Sequence, residues 1–255
     1  MRGLRGAIRL QLRIVAADRG YLNEILMNPF FSVIFLGIIW AAGRKDLVPF
    51  AVVAPVLITL WGMALEISGD IVDSDRGAGT LEGVVATPVG FPTVVCGRVL
   101  AVTVLSLTAI VETWLVARVG FRAEVELHHP RVLIVTLLAT GWAMTGAANI
   151  MAGLFVLART ARTFQNTINY PVYLLAGVIV PISYLPGWLR PIGRLLFLSW
   201  SADLLRDALS PAPVRDPVTR LGVIVLLGAV ALVLGRAALQ LVLRRVRASG
   251  TLGLE

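Results

Sequence analysis

The sequence contains few of the residues from which disulfides, metal sites and catalytic centres are built. It has 1 cysteine and 2 histidines in 255 residues. The single Cys96 excludes an internal disulfide, and a structural zinc site is not expected without a cluster of cysteine and histidine. His128 and His129 are adjacent, so they would point apart on a helix, and no third ligand stands at metal-site spacing. We therefore expect no metal site.

Lysine is almost absent as well. The phosphate-binding Walker motif ends in Gly-Lys-Ser/Thr, whereas the only lysine, Lys45, follows Arg44 in a short loop. The nucleophile motif Gly-x-Ser-x-Gly and the zinc motif His-Glu-x-x-His do not occur. We expect that the chain is not an enzyme and that it has no catalytic residue and no cofactor of its own.

Charge of either sign is scarce. Charged residues make up 15% and hydrophobic residues 57% of the chain, whereas a soluble domain has about 25% and about 45–50%. This composition excludes a water-soluble domain and predicts a membrane protein. The net charge of +8 comes almost entirely from arginine, which we interpret as topology and lipid-surface charge and not as a nucleic-acid site.

Uncharged apolar runs predict six transmembrane helices, since one span takes about 20 residues. The expected fold class is an all-α polytopic membrane protein, with a transmembrane domain over residues 21–243. The spans cover residues 22–42, 47–67, 94–117, 132–157, 168–185 and 221–243. Asn28-Pro29 interrupts the first span, because proline removes a backbone hydrogen bond and kinks a helix.

Arginine clusters flank the first and last spans, so the positive-inside rule places both termini, including the tail 244–255, in the cytoplasm. Residues 1–20 are expected to form an interfacial amphipathic helix whose arginines face lipid headgroups or a protein partner. Those arginines share one arc of the helix, and they are Arg2, Arg5, Arg9 and Arg13.

The connection between the second and third spans, residues 73–88, is the most informative stretch. Gly77 and Gly79 can end the descending helix. Thr80 is a good N-cap, Glu82 complements the helix dipole, and Pro88 prevents continuation. The result is a two-turn helix, marginal alone in water, whose apolar face must pack against the spans, lipid or another polypeptide. That face consists of Leu81, Val84 and Val85.

Between the fifth and sixth spans, 7 of the 13 prolines lie within 171–217. The stretch from Pro181 to Pro191 is too broken for a span and too apolar for an ordinary solvated loop. Two alternatives remain open: short re-entrant helices that dip into the outer leaflet, or a loop that lies flat on the headgroups.

Polar residues within spans are candidate pathway or functional residues. These are Trp61, Glu66 and Glu112. Glu112 either pairs with Arg118 or an outer-loop arginine, or contacts a substrate. Trp61 either packs between helices or faces a ligand. Arg98, near the inner end of its span, is expected to reach lipid phosphates.

The stretch from Asp73 to Pro88 resembles the cytoplasmic coupling segment of type 2 ATP-binding-cassette permeases. It has an acidic and arginine cluster, then Gly-Thr-Leu-Glu, then a short apolar helix closed by Thr-Pro. The arginine-bearing lead-in is similar to that family's interfacial connecting helix. Pro181 to Pro191, followed by Asp203-Leu-Leu-Arg206, is similar to its re-entrant outer helices.

The resemblance implies a permease that works as a dimer with a like or different permease and is driven by a separate nucleotide-binding subunit, which binds ATP and magnesium. It implies export of an amphiphilic drug, as in multidrug efflux, or of a lipid or a lipid-linked glycan across a bacterial plasma membrane. It also implies a set of residues that contact the ATPase subunit. These are Asp73, Asp75, Arg76, Gly79, Thr80, Leu81, Glu82, Val84, Val85, Thr87 and Pro88.

Two other classes of function remain as alternatives. An ion-coupled secondary transporter usually shows internal repeats and ionisable residues at matching positions in two halves. Here Glu66, Arg98 and Glu112 lie in the second and third spans, the fourth and fifth carry none, and no repeat is visible. The other alternative is a membrane scaffold that transports nothing.

Overall fold

The computed structural model describes residues 2–17, 19–44, 47–77, 91–123, 125–157 and 161–249, and within these ranges it is helical, with no strand. We number its α-helices in chain order. They are α1 (Arg2–Ala17), α2 (Arg19–Ala41), α3 (Val48–Gly77), α4 (Phe91–Ser106), α5 (Thr108–Leu115), α6 (Pro130–Leu157), α7 (Ala161–Leu175), α8 (Arg190–Arg194), α9 (Phe197–Leu209) and α10 (Pro217–Ser249). A π-helical turn, Val116–Gly120, extends α5, and a 3-10 turn, Ile182–Tyr184, precedes α8. The all-helical class predicted from sequence is confirmed for these residues.

Within the ranges given above, four helical segments are long and apolar enough to cross a bilayer. They are Val48–Gly69, Thr93–Gly120, Pro130–Phe155 and Pro217–Leu241, and α2 adds a shorter apolar helix, Met27–Ala41. The predicted count of six spans therefore stays a prediction. We call the side on which α3 begins, at Val48, the outer side.

The fifth predicted span differs from the helix that the structure shows. The sequence predicts residues 168–185, whereas α7 ends at Leu175. The chain turns at Gly177, whose φ of +70° suits glycine. The turn also provides hydrogen bonds for carbonyl groups in the last turn of α7. The Gly177 amide donates to the Leu174 carbonyl at 3.1 Å, and the Val178 amide donates to the Tyr173 carbonyl at 3.0 Å.

The amino-terminal helix α1 packs against α4 with an inward stripe at four-residue spacing: Ala7, Gln11 and Val15 are buried. This contact corrects the expectation for Arg98. Instead of reaching the lipid surface, Arg98 is 4% exposed, and its Nε donates to Gln11 Oε1 at 2.7 Å. The reason is that α1 lies over this part of α4 and supplies a polar partner inside the protein.

The long helices α6 and α10 run parallel and touch backbone to backbone. A Cβ atom on Gly146 would collide with the Gly228 carbonyl oxygen, and one on Gly235 would lie 2.7 Å from the Ile150 amide nitrogen. Small residues permit such close approach, which is a main source of helix association in membranes. The far side of α10 stays exposed, with Val233 67% accessible, as expected of a lipid-facing surface.

Short helices follow the turn at Gly177, as one of the two sequence alternatives predicts. Of these, α9 packs against α3, α6 and α10. Its Arg206 is 5% exposed and donates to the carbonyl oxygens of Gly177 and Val178, both at 2.7 Å. Burial lowers the pKa of Arg206 to about 10, although the negative charges of Asp203 and Asp207 act to raise it. The side chain therefore stays cationic at neutral pH. Whether these helices enter the outer leaflet stays a prediction.

Candidate functional site

The predicted coupling segment begins on α3. This helix continues from the candidate span through Gly77, well beyond the predicted span end at residue 67, and Asp73, Asp75 and Arg76 lie in its last turns. The remaining predicted contact residues lie outside the described residues. These are Gly79, Thr80, Leu81, Glu82, Val84, Val85, Thr87 and Pro88.

Polar side chains meet inside the bundle where α2, α3 and α5 come together. We call this group the polar seam. It consists of Asn28, Ser32, Thr59, Glu112 and Thr113. Apart from Glu112, which is half-buried, its members are buried, so the hydrogen bonds among the other four side chains form away from water.

Asn28 is the centre of the polar seam and is completely buried. Its Nδ2 donates to the Ala109 carbonyl at 3.1 Å and to Glu112 Oε2 at 3.0 Å, and lies 3.3 Å from Thr113 Oγ1. Its Oδ1 accepts from Thr59 Oγ1 at 3.0 Å. One amide therefore bonds to two neighbouring helices, and a buried amide without partners would be costly.

Ser32 adds a second connection, one turn along α2. Its hydroxyl lies 2.9 Å from the Asn28 carbonyl oxygen of its own helix and 2.8 Å from Thr113 Oγ1. Because Asn28 and Ser32 are four residues apart, they share one face of α2. That face holds α2 against α5 despite the Pro29 that interrupts the backbone ladder.

Glu112 has neutral partners in place of the arginine that the sequence suggested. Its Oε2 accepts from Asn28, and its Oε1 lies 3.4 Å from Thr108 Oγ1. The Arg118 guanidinium instead lies 5.5 Å from the centre of the Trp114 ring. Within the described part of the chain, no arginine, lysine or histidine comes within ion-pair distance of Glu112.

Trp61 belongs to a separate contact, between α3 and α7. It is 4% exposed, and its indole nitrogen donates to Asn169 Oδ1 at 3.0 Å. Tyr173, one turn further along α7, donates its hydroxyl to the Ile58 carbonyl at 3.2 Å. Trp61 therefore packs between helices in this conformation, which is the first of its two sequence alternatives. Glu66 lies further along α3 and is half-buried.

A cavity of about 920 Å³ opens on the outer side, between the loops that follow α2 and α5 and the end of α9. His128 and His129 connect the loop after α5 to the end of α9 and to the residues that follow it. The His128 ring lies 3.1 Å from Glu126 and 3.3 Å from the Leu209 carbonyl, and His129 Nε2 lies 3.0 Å from the Ala212 carbonyl. The two histidines thus have structural contacts that link this loop to the end of α9 and to the residues that follow it.

Sequence reasoning missed Asn28 and Asn169. Asn28 stood out only as part of the Asn28-Pro29 interruption, yet Ser32 four residues later, inside the same apolar run, is the signal that could have revealed a polar face. Asn169 carries no such signal. Its partner Trp61 is 108 residues away in the chain.

The model of one protein family, described as ABC-2 type transporter, matches residues 9–209. The matched region reaches from α1 to the last residue of α9 and contains the polar seam, the Trp61–Asn169 contact and residues 73–88. Comparison with curated proteins finds no match.

Proposed function

The chain belongs to the ABC-2 type transporter family, whose members are permease components of ABC transporters, and on that premise we propose that it is the membrane subunit of an exporter. Its cargo would be an amphiphilic drug, a lipid or a lipid-linked glycan. It would act with a second permease, identical or different, in a bacterial plasma membrane. Both termini would face the cytoplasm, and six spans would cross the bilayer.

The observation that carries this proposal is the family match over residues 9–209. The sequence supports the proposal independently, because the only lysine, Lys45, does not belong to a phosphate-binding motif. A permease of this kind needs an ATP-binding-cassette subunit to supply energy. ATP and magnesium would bind to that subunit, and residues 73–88 would contact it.

The shape of α3 supports a mechanical role. Its 30 residues form one continuous helix about 45 Å long at 1.5 Å per residue. The internal Pro55 lies between Val48 and Thr59, outside the stretch that leads from Gly77 to Thr59. The helix joins the coupling segment at one end to Thr59 and Trp61 at mid-length. A displacement applied near Gly77 would therefore reach both the polar seam and the contact with α7 without an intervening loop.

The close packing around α3 leaves little free space that could absorb such a displacement. Nearly every residue from Ala51 to Ile67 is buried, and close-packed interiors transmit small shifts with little compression. We infer that ATP-driven movement of the coupling segment shifts α3 against α2 and α7, and that this shift changes access to the path between two permeases.

Transport in reconstituted vesicles tests the proposed function. The complex purified in mild detergent should contain an ATPase subunit, and uptake into inside-out vesicles should require ATP hydrolysis and persist after ion gradients are dissipated. Uptake that follows a proton or sodium gradient and ignores ATP would instead identify a secondary transporter. A complex that has no ATPase subunit and moves nothing would identify a scaffold.

A further inference from the structure

Glu112 is an ionisable residue that lies well inside a candidate transmembrane span. It lies on α5 eight residues before Gly120, the outer end of the candidate span Thr93–Gly120, and so about 12 Å along the helix from that end. A carboxylate at such a depth is expensive and generally pairs with another group or marks a functional position. Its partners here, Asn28 and Thr108, are neutral.

The carboxylate is also held in place before any ligand arrives. Asn28 binds Glu112 Oε2 and is itself fixed by Thr59 from α3 and by the Ala109 carbonyl from α5. Asn28 therefore acts as a positioning residue, and preorganisation of this kind reduces the cost of binding a ligand. Among the described residues, the second oxygen, Oε1, has one long contact, 3.4 Å from the Thr108 hydroxyl oxygen.

The route to Glu112 passes over an apolar surface. Thr108 is exposed, and the neighbouring Val104, Val111 and Leu115 are 58%, 56% and 47% exposed on the same side of α4 and α5. In a bilayer this face meets acyl chains. A ligand that reaches Glu112 must therefore be soluble in the hydrocarbon region, and charge complementarity requires that it carry a positive charge.

We propose that Glu112 binds the cationic group of a lipophilic organic cation that approaches from the outer half of the bilayer. This inference rests on the proposed function and narrows it. Of the three cargo classes, a cationic amphiphilic drug fits the carboxylate, whereas the phosphate groups of a lipid-linked glycan would be repelled. Repulsion of phosphate groups by the carboxylate contributes to selectivity as much as its attraction for a cation does.

Binding of tetraphenylphosphonium to the purified protein in phosphatidylcholine nanodiscs tests the proposal without ATP. The wild type should bind this cation, and Glu112→Gln should weaken binding about tenfold while keeping an oxygen acceptor for Asn28. Tetraphenylborate, an anion of the same shape, should bind equally to both. Glu126→Gln, a matched change at a carboxylate that is 70% exposed, should leave binding unchanged.

A second variant covers the case in which Glu112→Gln does not fold. Leu115→Arg places a cation on an exposed position three residues from Glu112, where the two side chains can pair, and should block tetraphenylphosphonium in the same way. Unchanged cation binding in the folded variants would overturn the proposal. Loss of the permease dimer in Glu112→Gln would also overturn it, since the carboxylate would then belong to the contact with a second copy.

The two proposals fail separately. Cation binding depends on Glu112 in the absence of nucleotide, whereas the proposed function depends on ATP-driven uptake. If uptake requires ATP but cation binding ignores Glu112, only the cation site is wrong. If cation binding depends on Glu112 but uptake does not need ATP, the exporter function is wrong.

Discussion

The side-chain amide of Asn28 donates to the carboxylate of Glu112 at 3.0 Å, across 84 residues of sequence. This bond joins the proline-interrupted helix α2 to the helix that carries the intramembrane acid. It makes the polar seam both a structural connection among three helices and the support of a candidate ligand site.

Replacing Asn28 with leucine should destabilise the bundle. The change leaves the buried Thr59 hydroxyl without its acceptor and Glu112 Oε2 without its donor, and an unsatisfied buried polar group costs about 1–3 kcal/mol. We expect a lower temperature of unfolding in fluorescence-detected size-exclusion chromatography. Thr108→Val is the matched control, because Thr108 is exposed and its hydroxyl mainly donates to the carbonyl of Leu105, three residues earlier at the end of α4. Equal stability of the two variants would show that the seam contributes nothing.

Leucine at Gly146 or Gly235 should prevent α6 and α10 from packing. At both positions an added side chain would strike backbone atoms of the opposing helix, and backbone cannot move aside as a flexible side chain can. Overpacking costs about 1–3 kcal/mol even against side chains, so we expect little folded protein by chromatography. Gly222→Leu on α10 is the control, since nothing lies within 4 Å of its Cβ position.

Loss of the Arg98 side chain should loosen α1. Arg98→Ala leaves Gln11 buried without its donor, so hydrogen–deuterium exchange of the backbone over residues 2–17 should rise about tenfold, which corresponds to about 1.4 kcal/mol. Arg9→Ala, on the exposed side of the same helix, should leave exchange unchanged. If both variants behave like the wild type, α1 is held by other contacts.

The sequence was sufficient for the features that depend on local pattern. Apolar runs predicted the long helices, and the arginine arc predicted the amphipathic α1. Proline density between 171 and 217 indicated short helices as one alternative. These features follow from periodicity and from the backbone limits of proline, which act within a few residues.

Features that depend on tertiary contacts could not be predicted in the same way. The burial of Arg98 requires α1 to fold over α4, and the early end of α7 depends on the conformation that Gly177 adopts and on the contact of Arg206 with that turn. The partners of Asn28 and Trp61 come from helices far away in the chain. A single sequence contains the polar residues but does not show which of them meet.

We expect transport to depend on mechanical coupling to an ATPase subunit through residues 73–88. The most direct measurement compares ATP hydrolysis with transport for the Leu81→Asp/Val85→Asp double variant, reconstituted with its ATPase subunit in vesicles. The control is Leu252→Asp/Leu254→Asp, the same type of change in the carboxy-terminal tail. We predict that the coupling variant inserts normally but loses transport, while the tail variant keeps both activities. Transport at the wild-type rate by the coupling variant would contradict the account.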